Sequence, residues 1–483
     1  MRAKVAALVV VGLLVAACGT RLPDDAFVDA QGEVIVSEGP VTDGLADGVT
    51  DGDATTTTLA AAEEGSADGG TTGGGTTGGT DGGSTGGGGP SGPNQASDVG
   101  ITATTVTLGT IVAEDGVLGT AFAPAARGIR AWAQATNAKG GINGRQVVLK
   151  TCNDREDRAR ALACAKQLVE QDKVFALVAT NTRALGGAAQ YLNDKGVPVL
   201  GIPITNSFYR YPHLYTGYGT GYARDGKTVG YKGQIMSLSG GYRWFRQNLK
   251  TTKAAVFSYD ISESKQAGAF IAKGLELEGY QVTQYSVSFA APSFDQAVAD
   301  MERQGTQIVF DAMDDGANRK LCDSMERRRF KPAAKVSTIV SMGQSVGDDY
   351  NDTCRNIVFV TGSSIAYTAT SVPAVAEFRQ AFAKYQPGQE LHQWALEAWA
   401  MGRLMADGIA AMGPAPTRKG LEGYFNGLNR YTAGGIMVPV EYKRIDYATP
   451  TREHCFSIAR WLDSKGGWTE ATSTFPFCYR DAK

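Results

Sequence analysis

The chain has 483 residues, enough for two or three ordinary domains, and its 43% hydrophobic and 20% charged content is the balance of a soluble globular protein. Its 47 basic residues nearly cancel 49 acidic ones, so a net charge of −2 leaves no electrostatic footprint for nucleic acid or an anionic membrane surface. Three widely separated histidines, His213, His392 and His454, supply little for imidazole metal clusters or His-dependent nucleophilic chemistry. We expect no metal and no cofactor.

Arg2 and Lys4 precede an apolar run from Val5 to Ala17, too short to span a bilayer comfortably but suited to a signal-peptide core. It ends in Leu14-Val15-Ala16-Ala17-Cys18. Small residues just before a cysteine resemble a bacterial lipobox, in which the thiol is acylated and the preceding peptide removed; an ordinary signal with an incidental cysteine is the alternative. We therefore expect residues 1–18 to be a lipoprotein signal, with Cys18 the lipidated start of an extracytoplasmic protein held on the bacterial cell membrane. No later segment reaches the roughly 18 apolar residues of a transmembrane helix, so the anchor is the lipid alone.

Six cysteines remain: Cys152, Cys164, Cys322, Cys354, Cys455 and Cys478. An even number in an exported chain, with no C-x-x-C spacing, favours disulfides over metal. Six cysteines allow 15 connectivities, among which sequential pairing would close three short loops.

Residues 19–97 carry few aromatics and include a Gly/Thr/Ser/Asp tract from Gly65 to Pro93, which holds many of the 61 glycines. Such a composition buries too little apolar surface to offset chain entropy and reads as a disordered tether.

From Gly100 onward short apolar runs alternate with helical patterns, the signature of βαβ units and a mainly parallel sheet. Thr105 to Ile111 is the first expected strand. A helix follows, with Ala125, Ile129, Trp132 and Thr136 on one face, stopping at Lys139-Gly140-Gly141. Then come strand Gln146 to Lys150, a helix bearing Ala161, Cys164, Ala165 and Leu168 on one face, strand Phe175 to Ala179, helix Leu185 to Asp194 and strand Val197 to Ile202. A Tyr/Gly-rich stretch, Tyr209 to Tyr222, interrupts the pattern. Strands Ala254 to Tyr259, Gln281 to Ser288, Gln307 to Ala312 and Val336 to Ser341 then alternate with helices Lys265 to Gly279, Phe294 to Gln304 and Ala317 to Arg329. After strand Asn356 to Val360 come helices Val372 to Tyr385, Gln393 to Met412 and Lys419 to Leu428, then strands Val438 to Tyr442 and Phe456 to Trp461. The fold class is α/β, two doubly wound Rossmann-like lobes joined by a hinge, with a cleft at the carboxyl ends of both sheets. We place lobe I at 98–217 plus 363–445 and lobe II at 218–362 plus 446–483.

The string Thr136-Asn137-Ala138-Lys139-Gly140-Gly141-Ile142-Asn143-Gly144, the strand Gln146 to Lys150 after it, and Gly196-Val197-Pro198-Val199-Leu200 later carry a family likeness. They resemble the branched-chain amino-acid group of type I periplasmic binding proteins, in element order over nearly all of residues 100–483. The resemblance implies a non-enzymatic solute receptor for an ABC importer, with two lobes, three hinge crossings and a small-molecule ligand. Its partners would be that ligand, ABC permease subunits and the membrane through the lipid anchor. A binding-fold lipoprotein that senses a ligand or regulates an envelope protein without transport is the other reading.

Two motifs compete with this reading. Gly221-Tyr222-Ala223-Arg224-Asp225-Gly226-Lys227-Thr228 matches the P-loop pattern, and Ile308-Val309-Phe310-Asp311 could pass for a Mg²⁺-holding partner. The export signal and the lack of a convincing buried strand before Gly221 argue against nucleotide binding. Gly343-Gln344-Ser345-Val346-Gly347 matches the nucleophile elbow, with His392 and His454 downstream as a hydrolase needs. An elbow must continue into a helix, and Asp348-Asp349-Tyr350-Asn351-Asp352 reads as a polar turn. The stripe Trp394, Leu396, Trp399, Leu404 and Met405 reads as helix-on-sheet packing, and Arg327-Arg328-Arg329 as the solvated end of a helix.

In the resembled family the anionic end of the ligand is held by hydroxyls and main-chain N–H groups after the third and fourth strands of the first lobe. Those positions fall here on Thr182, beside Asn181, and on Thr205 and Asn206; helix N-termini there offer unpaired donors. Ordinary helix caps are the structural alternative. Two departures weaken the branched-chain specificity: the family's acid for the ligand ammonium falls near Met342, and the loop after the first strand reads Glu114-Asp115. If the ligand is cationic, Asp314 is the first candidate partner, with Glu114 or Asp115 across the cleft and Tyr259 covering the ligand with its ring.

Overall fold

The computed structural model describes residues 27–28, 34–35, 92–116, 118–219, 224–229, 239–442 and 453–480. The expected signal with Cys18, almost all of the tether, and Gly221 to Ala223 of the P-loop string lie outside them. The short strands β1 (Phe27–Val28) and β2 (Val34–Ile35) form a two-stranded sheet. Residues 89–483 fall within one compact unit.

Each apolar run of the first half becomes a strand that helices must cover on both faces. Strands β3 (Thr105–Ile111), β4 (Gln146–Cys152), β5 (Ala176–Thr180), β6 (Val199–Gly201) and β7 (Leu214–Thr216) form an all-parallel sheet in the order β4-β3-β5-β6-β7. All five residues of β5 are buried, as a central parallel strand requires. Leu108 and Val178 pack with Ala125, Ile129 and Trp132 of α1 (Gly119–Ala138) on one face. On the other, Ile111 and Leu177 pack with Ala161 of α2 (Arg158–Lys166) and Leu192 of α3 (Gly186–Asp194). The helix α1 stops where expected: Gly140 and Gly141 have φ of 99° and 79°. A Cβ on Gly141 would lie 1.9 Å from the Arg145 carbonyl oxygen, so the turn into β4 requires glycine.

The second sheet runs β14-β13-β12-β11-β10-β8-β9, with β15 also pairing to β13. Its parallel part comprises β8 (Lys253–Tyr259), β9 (Gln281–Val287), β10 (Ile308–Ala312), β11 (Ala334–Ser337) and β12 (Val358–Gly362). The helices α5 (Ser262–Leu277), α6 (Asp295–Gln304) and α7 (Asp315–Arg327) connect its first four strands. The chain then leaves this sheet. It builds α9 (Pro373–Tyr385), α10 (Gln393–Ala411) and α11 (Arg418–Asn426), the first two packed on α1, and returns as β13 (His454–Leu462), antiparallel to β12. Two short strands, β14 (Gly467–Glu470) and β15 (Phe477–Tyr479), complete the sheet.

Several expectations shift. The Tyr/Gly-rich stretch contains β7, whose three residues are too few to show a period. The strand expected at Val438 to Tyr442 is absent: Met437 and Val440 make only isolated bridges, to Ser364 and Tyr431, after Gly434 and Gly435 turn the chain at positive φ. The strand expected at Val336 to Ser341 ends at Ser337 and gives way to a tight helical turn, Ile339–Ser341. Helix α4 (Gly240–Leu249) was not expected because it opens on two glycines, yet a Cβ on Gly240 would lie 2.6 Å from His454 Nδ1. The polar run after Ser345 forms the one-turn helix α8 (Val346–Asp349).

The six cysteines pair sequentially: Cys152–Cys164, Cys322–Cys354 and Cys455–Cys478. Among the described residues no helix is long and apolar enough to cross a membrane.

Candidate functional site

The carboxyl ends of the first sheet are stitched together by main chain. Val112, just past β3, bridges Asn181, just past β5; Asn181 N–H donates to the Ile111 carbonyl (3.0 Å) and Ala113 N–H to the Asn181 carbonyl (3.3 Å). Here β5 carries a bulge: its register to β6 shifts between Val178 and Thr180, and Ala179 sits at a φ of 54°. Bulges of this kind re-aim side chains at the end of a strand. The loop after β4 folds over both neighbours, since the buried Glu156 carboxylate accepts from the Leu118 N–H and holds Arg183 at 2.7 Å.

A set of buried side-chain atoms at this edge makes no hydrogen bond among the described residues. Thr110 Oγ1 lies near the end of β3 and Asp154 Oδ2 just past β4. Thr180 Oγ1 and both amide atoms of Asn181 end β5, and Thr205 Oγ1 and Ser207 Oγ follow β6. Asp154 accepts from the Glu156 N–H (3.1 Å) and lies beside the Thr182 hydroxyl, and burial pushes its carboxyl above the usual aspartate range. Thr182 Oγ1 accepts from Ala184 N–H at 2.9 Å, an ordinary local turn. Asn206 reaches the other half of the molecule: its Nδ2 donates to Gln266 Oε1 on α5, at 2.6 Å.

At the carboxyl ends of the second sheet Tyr259 closes β8, its ring edge-on to Phe289 with centroids 5.0 Å apart. Burial, followed by the nearby Asp314 carboxylate, raises the Tyr259 phenol far above its ordinary value. Asp314 also caps α7, accepting from Ala317 N–H at 2.9 Å. Met342 is buried, and its carbonyl accepts from Gln393 N–H at 3.1 Å.

Glu114 and Asp115, the acids expected across the cleft, are each paired with an arginine. Glu114 makes a two-pronged pair with Arg130 of α1, one contact at 2.7 Å, and Asp115 lies 3.4 Å from Arg155. Sequence reasoning thus brought Asn181, Thr182 and Thr205 to one sheet edge, with Asn206 bridging towards α5 and Tyr259 and Asp314 near each other. It missed Thr110, Asp154, Thr180 and Ser207. Position after a strand end was the available signal, but which side-chain atoms are left without a described partner depends on the bulge and the folded-over loop.

The competing motifs have other surroundings. Asp225 accepts from the N–H groups of Lys227 and Thr228, both at 2.9 Å, so the described part of the P-loop string closes on its own aspartate. His392 lies near Ser345, but its Nδ1 accepts from Trp394 N–H and its Nε2 faces the Val340 carbonyl at 3.2 Å, while burial lowers its pKa to about 4. Among the described residues the one trio spaced to hold a metal ion is Glu453, Cys455 and Cys478, whose cysteines share a disulfide.

Solved structures of the same fold include a possible leucine/isoleucine/valine-binding protein from Rhodopirellula baltica SH 1. It is 14% identical with a TM-score of 0.60, covering 78% of this chain and 98% of that one. A fatty acid ABC transporter substrate-binding protein from Thermomonospora curvata is 14% identical with a TM-score of 0.62, covering 79% and 95%. A solute binding protein of an ABC transporter from Rhodopseudomonas palustris BisB5, in complex with 3,4-dihydroxy benzoic acid, is 15% identical with a TM-score of 0.60, covering 78% and 98%. No curated protein matches the sequence. Residues 105–467 match the family described as periplasmic binding protein, and with two α/β sheets in this order the chain belongs to that family, in its type I fold.

Proposed function

We propose that this chain is an extracytoplasmic, lipid-anchored solute receptor that delivers a small organic acid, amino acids included, to an ABC importer. The observation that carries the reading is the group of buried, unpartnered polar atoms at the carboxyl edge of the first sheet. An unsatisfied buried polar group costs about 1–3 kcal/mol, and a polar ligand seated there would satisfy several at once. Open α/β sheets bind ligands at this edge.

In this reading Asn181, Thr182, Thr205 and Asn206 hold the carboxylate end, and Tyr259 and Asp314 face it from the second sheet. Glu114 and Asp115 shape the rim through their arginine partners. The division into lobes is 98–217 plus 363–445 against 218–362 plus 446–483. The solved structures of this fold support an acid because the leucine/isoleucine/valine, fatty acid and dihydroxybenzoic acid associated with them share a carboxyl group.

Calorimetric titration against amino acids, aliphatic acids and aromatic acids tests it. One class should bind, and Thr205→Val and Asn181→Leu should each weaken that binding at least about tenfold, the scale of one lost hydrogen bond to a charged group. Unchanged affinity in both variants would remove the site; Asp314→Asn then reports whether the ligand also carries an ammonium. Cys18→Ala should release the protein from the membrane fraction or leave the precursor uncleaved, and a mature membrane-bound product would exclude the anchor.

A further inference from the structure

Three stretches of chain pass between the two sheets: one after β7, one after β12 and one before β13. Two glutamates sit against them. Glu397 of α10, fully buried, accepts from the Tyr218 hydroxyl on the first crossing and from the Ser364 hydroxyl on the second. Glu470 of β14 accepts from the Ala366 N–H on the second crossing (2.9 Å) and from Ser457 Oγ of β13 (3.0 Å), the strand the third crossing enters. Gln393, one turn before Glu397, fastens the same segment: it donates to Ser364 Oγ (2.8 Å) and the Ile365 carbonyl (2.7 Å) and accepts from Tyr367 N–H (2.9 Å). The Tyr442 hydroxyl, donating to the Thr216 carbonyl, ties the third crossing to the end of β7, from which the first crossing leaves.

We propose that Glu397 and Glu470 form a proton-responsive latch on these crossings, holding the two sheets in the observed arrangement when protonated and loosening it when ionised. The physical reason is desolvation. Among the described residues each carboxyl has few donors and no cation, so removing its proton leaves a charge that the interior cannot solvate and that opening to water would.

Burial raises both groups to about 7, with Ser364 and Tyr218 opposing it at Glu397 and the Ala366 N–H and Ser457 at Glu470. Among the described residues the titratable groups around Glu397 are Tyr218 and Tyr442 on the crossings, Tyr367 beyond Gln393, and His392 at the start of α10, with Arg127 acting on His392. Burial holds the three tyrosines above their ordinary values and His392 at about 4, so none of them changes charge near neutrality. Around Glu470, β13 carries His454, whose Nδ1 accepts from Gly240 N–H, and Arg460, which is bound to the Asn356 carbonyl.

Hydrogen–deuterium exchange of the ligand-free full chain, corrected for intrinsic rates, tests the latch without reference to any ligand. Protection in peptides spanning 214–219, 363–367 and 455–459 should fall about tenfold or more between pH 7 and 8.5. Glu397→Gln with Glu470→Gln should remove that fall. Ser364→Ala with Ser457→Ala, which takes away donors to the ionised form, should move its onset to higher pH. Flat wild-type protection, an unchanged slope in the glutamine variant, or, should that variant not fold, an unchanged onset in the alanine variant would overturn the proposal.

Discussion

Lys335 donates its ammonium group to the Asp311 carboxylate across neighbouring strands of the second sheet, and neither side chain is exposed at all. Lys335 also donates to Asn318 Oδ1 (2.6 Å) and to Ser337, while Asn318 Nδ2 reaches Asp311 Oδ1 (3.0 Å) and Ser341 Oγ (2.9 Å). Burial pulls the Lys335 pKa down and the Asp311 carboxylate pulls it back up. The pair holds β10, β11 and the start of α7, and so the position of Asp314 and Met342, in one piece.

Removing one partner should therefore be far worse than removing both. Lys335→Met leaves the Asp311 charge buried and alone, and should cost about 3–5 kcal/mol in denaturant unfolding. Lys335→Met with Asp311→Leu should recover most of that loss. Equal losses in the single and double variants would show that packing, not charge, sets the effect.

Stability should respond to pH with opposite signs at two sites. Glu397 and Glu470 have folded-state pKa values raised to about 7, so their contribution is fully present below the unfolded value near 4.5 and is lost as pH rises through 7. His392 has a folded value lowered to about 4, so its contribution is present above 6.5 and is lost as pH falls through 4. Asn caps helices well and does not titrate, so His392→Asn should flatten the acid limb of a stability profile while leaving the alkaline limb in place. An unaltered acid limb would contradict the assignment.

Alkylation without reductant should leave the intact mass of the folded domain unmodified at all six paired cysteines. Replacing Cys322 and Cys354 by serine opens a loop with a sequence separation of 32 and should cost about 2–5 kcal/mol. Two or more labelled thiols in the unreduced protein would exclude the sequential pairing.

Gly128→Ala should destabilise, although alanine is the better helix former by roughly 0.5–1 kcal/mol. A Cβ there would lie 2.1 Å from the Ala395 carbonyl oxygen, where α1 crosses α10 backbone to backbone. Forcing the helices apart should cost about 1–3 kcal/mol by thermal or denaturant unfolding, and a neutral result would mean that the helices separate freely.

The alternation of strands and helices, the glycine stop after α1 and the placement of Thr182 and Thr205 past strand ends and of Tyr259 at one were all legible in the sequence. They follow from local periodicity and backbone preference, which a few neighbouring residues settle between them. Other features were not legible. Lys335 reads as an exposed charge until α7 and β10 close over it, and Glu397 lies in a helix whose sequence says only that it is apolar. Asp154 Oδ2 and the Asn181 side-chain amide are left without described partners where a bulge and a folded-over loop seal them. β13 joins β12 only after the chain has built three helices elsewhere. In each case the deciding term is the loss of water around a group, and burial depends on segments far apart in the chain meeting in space.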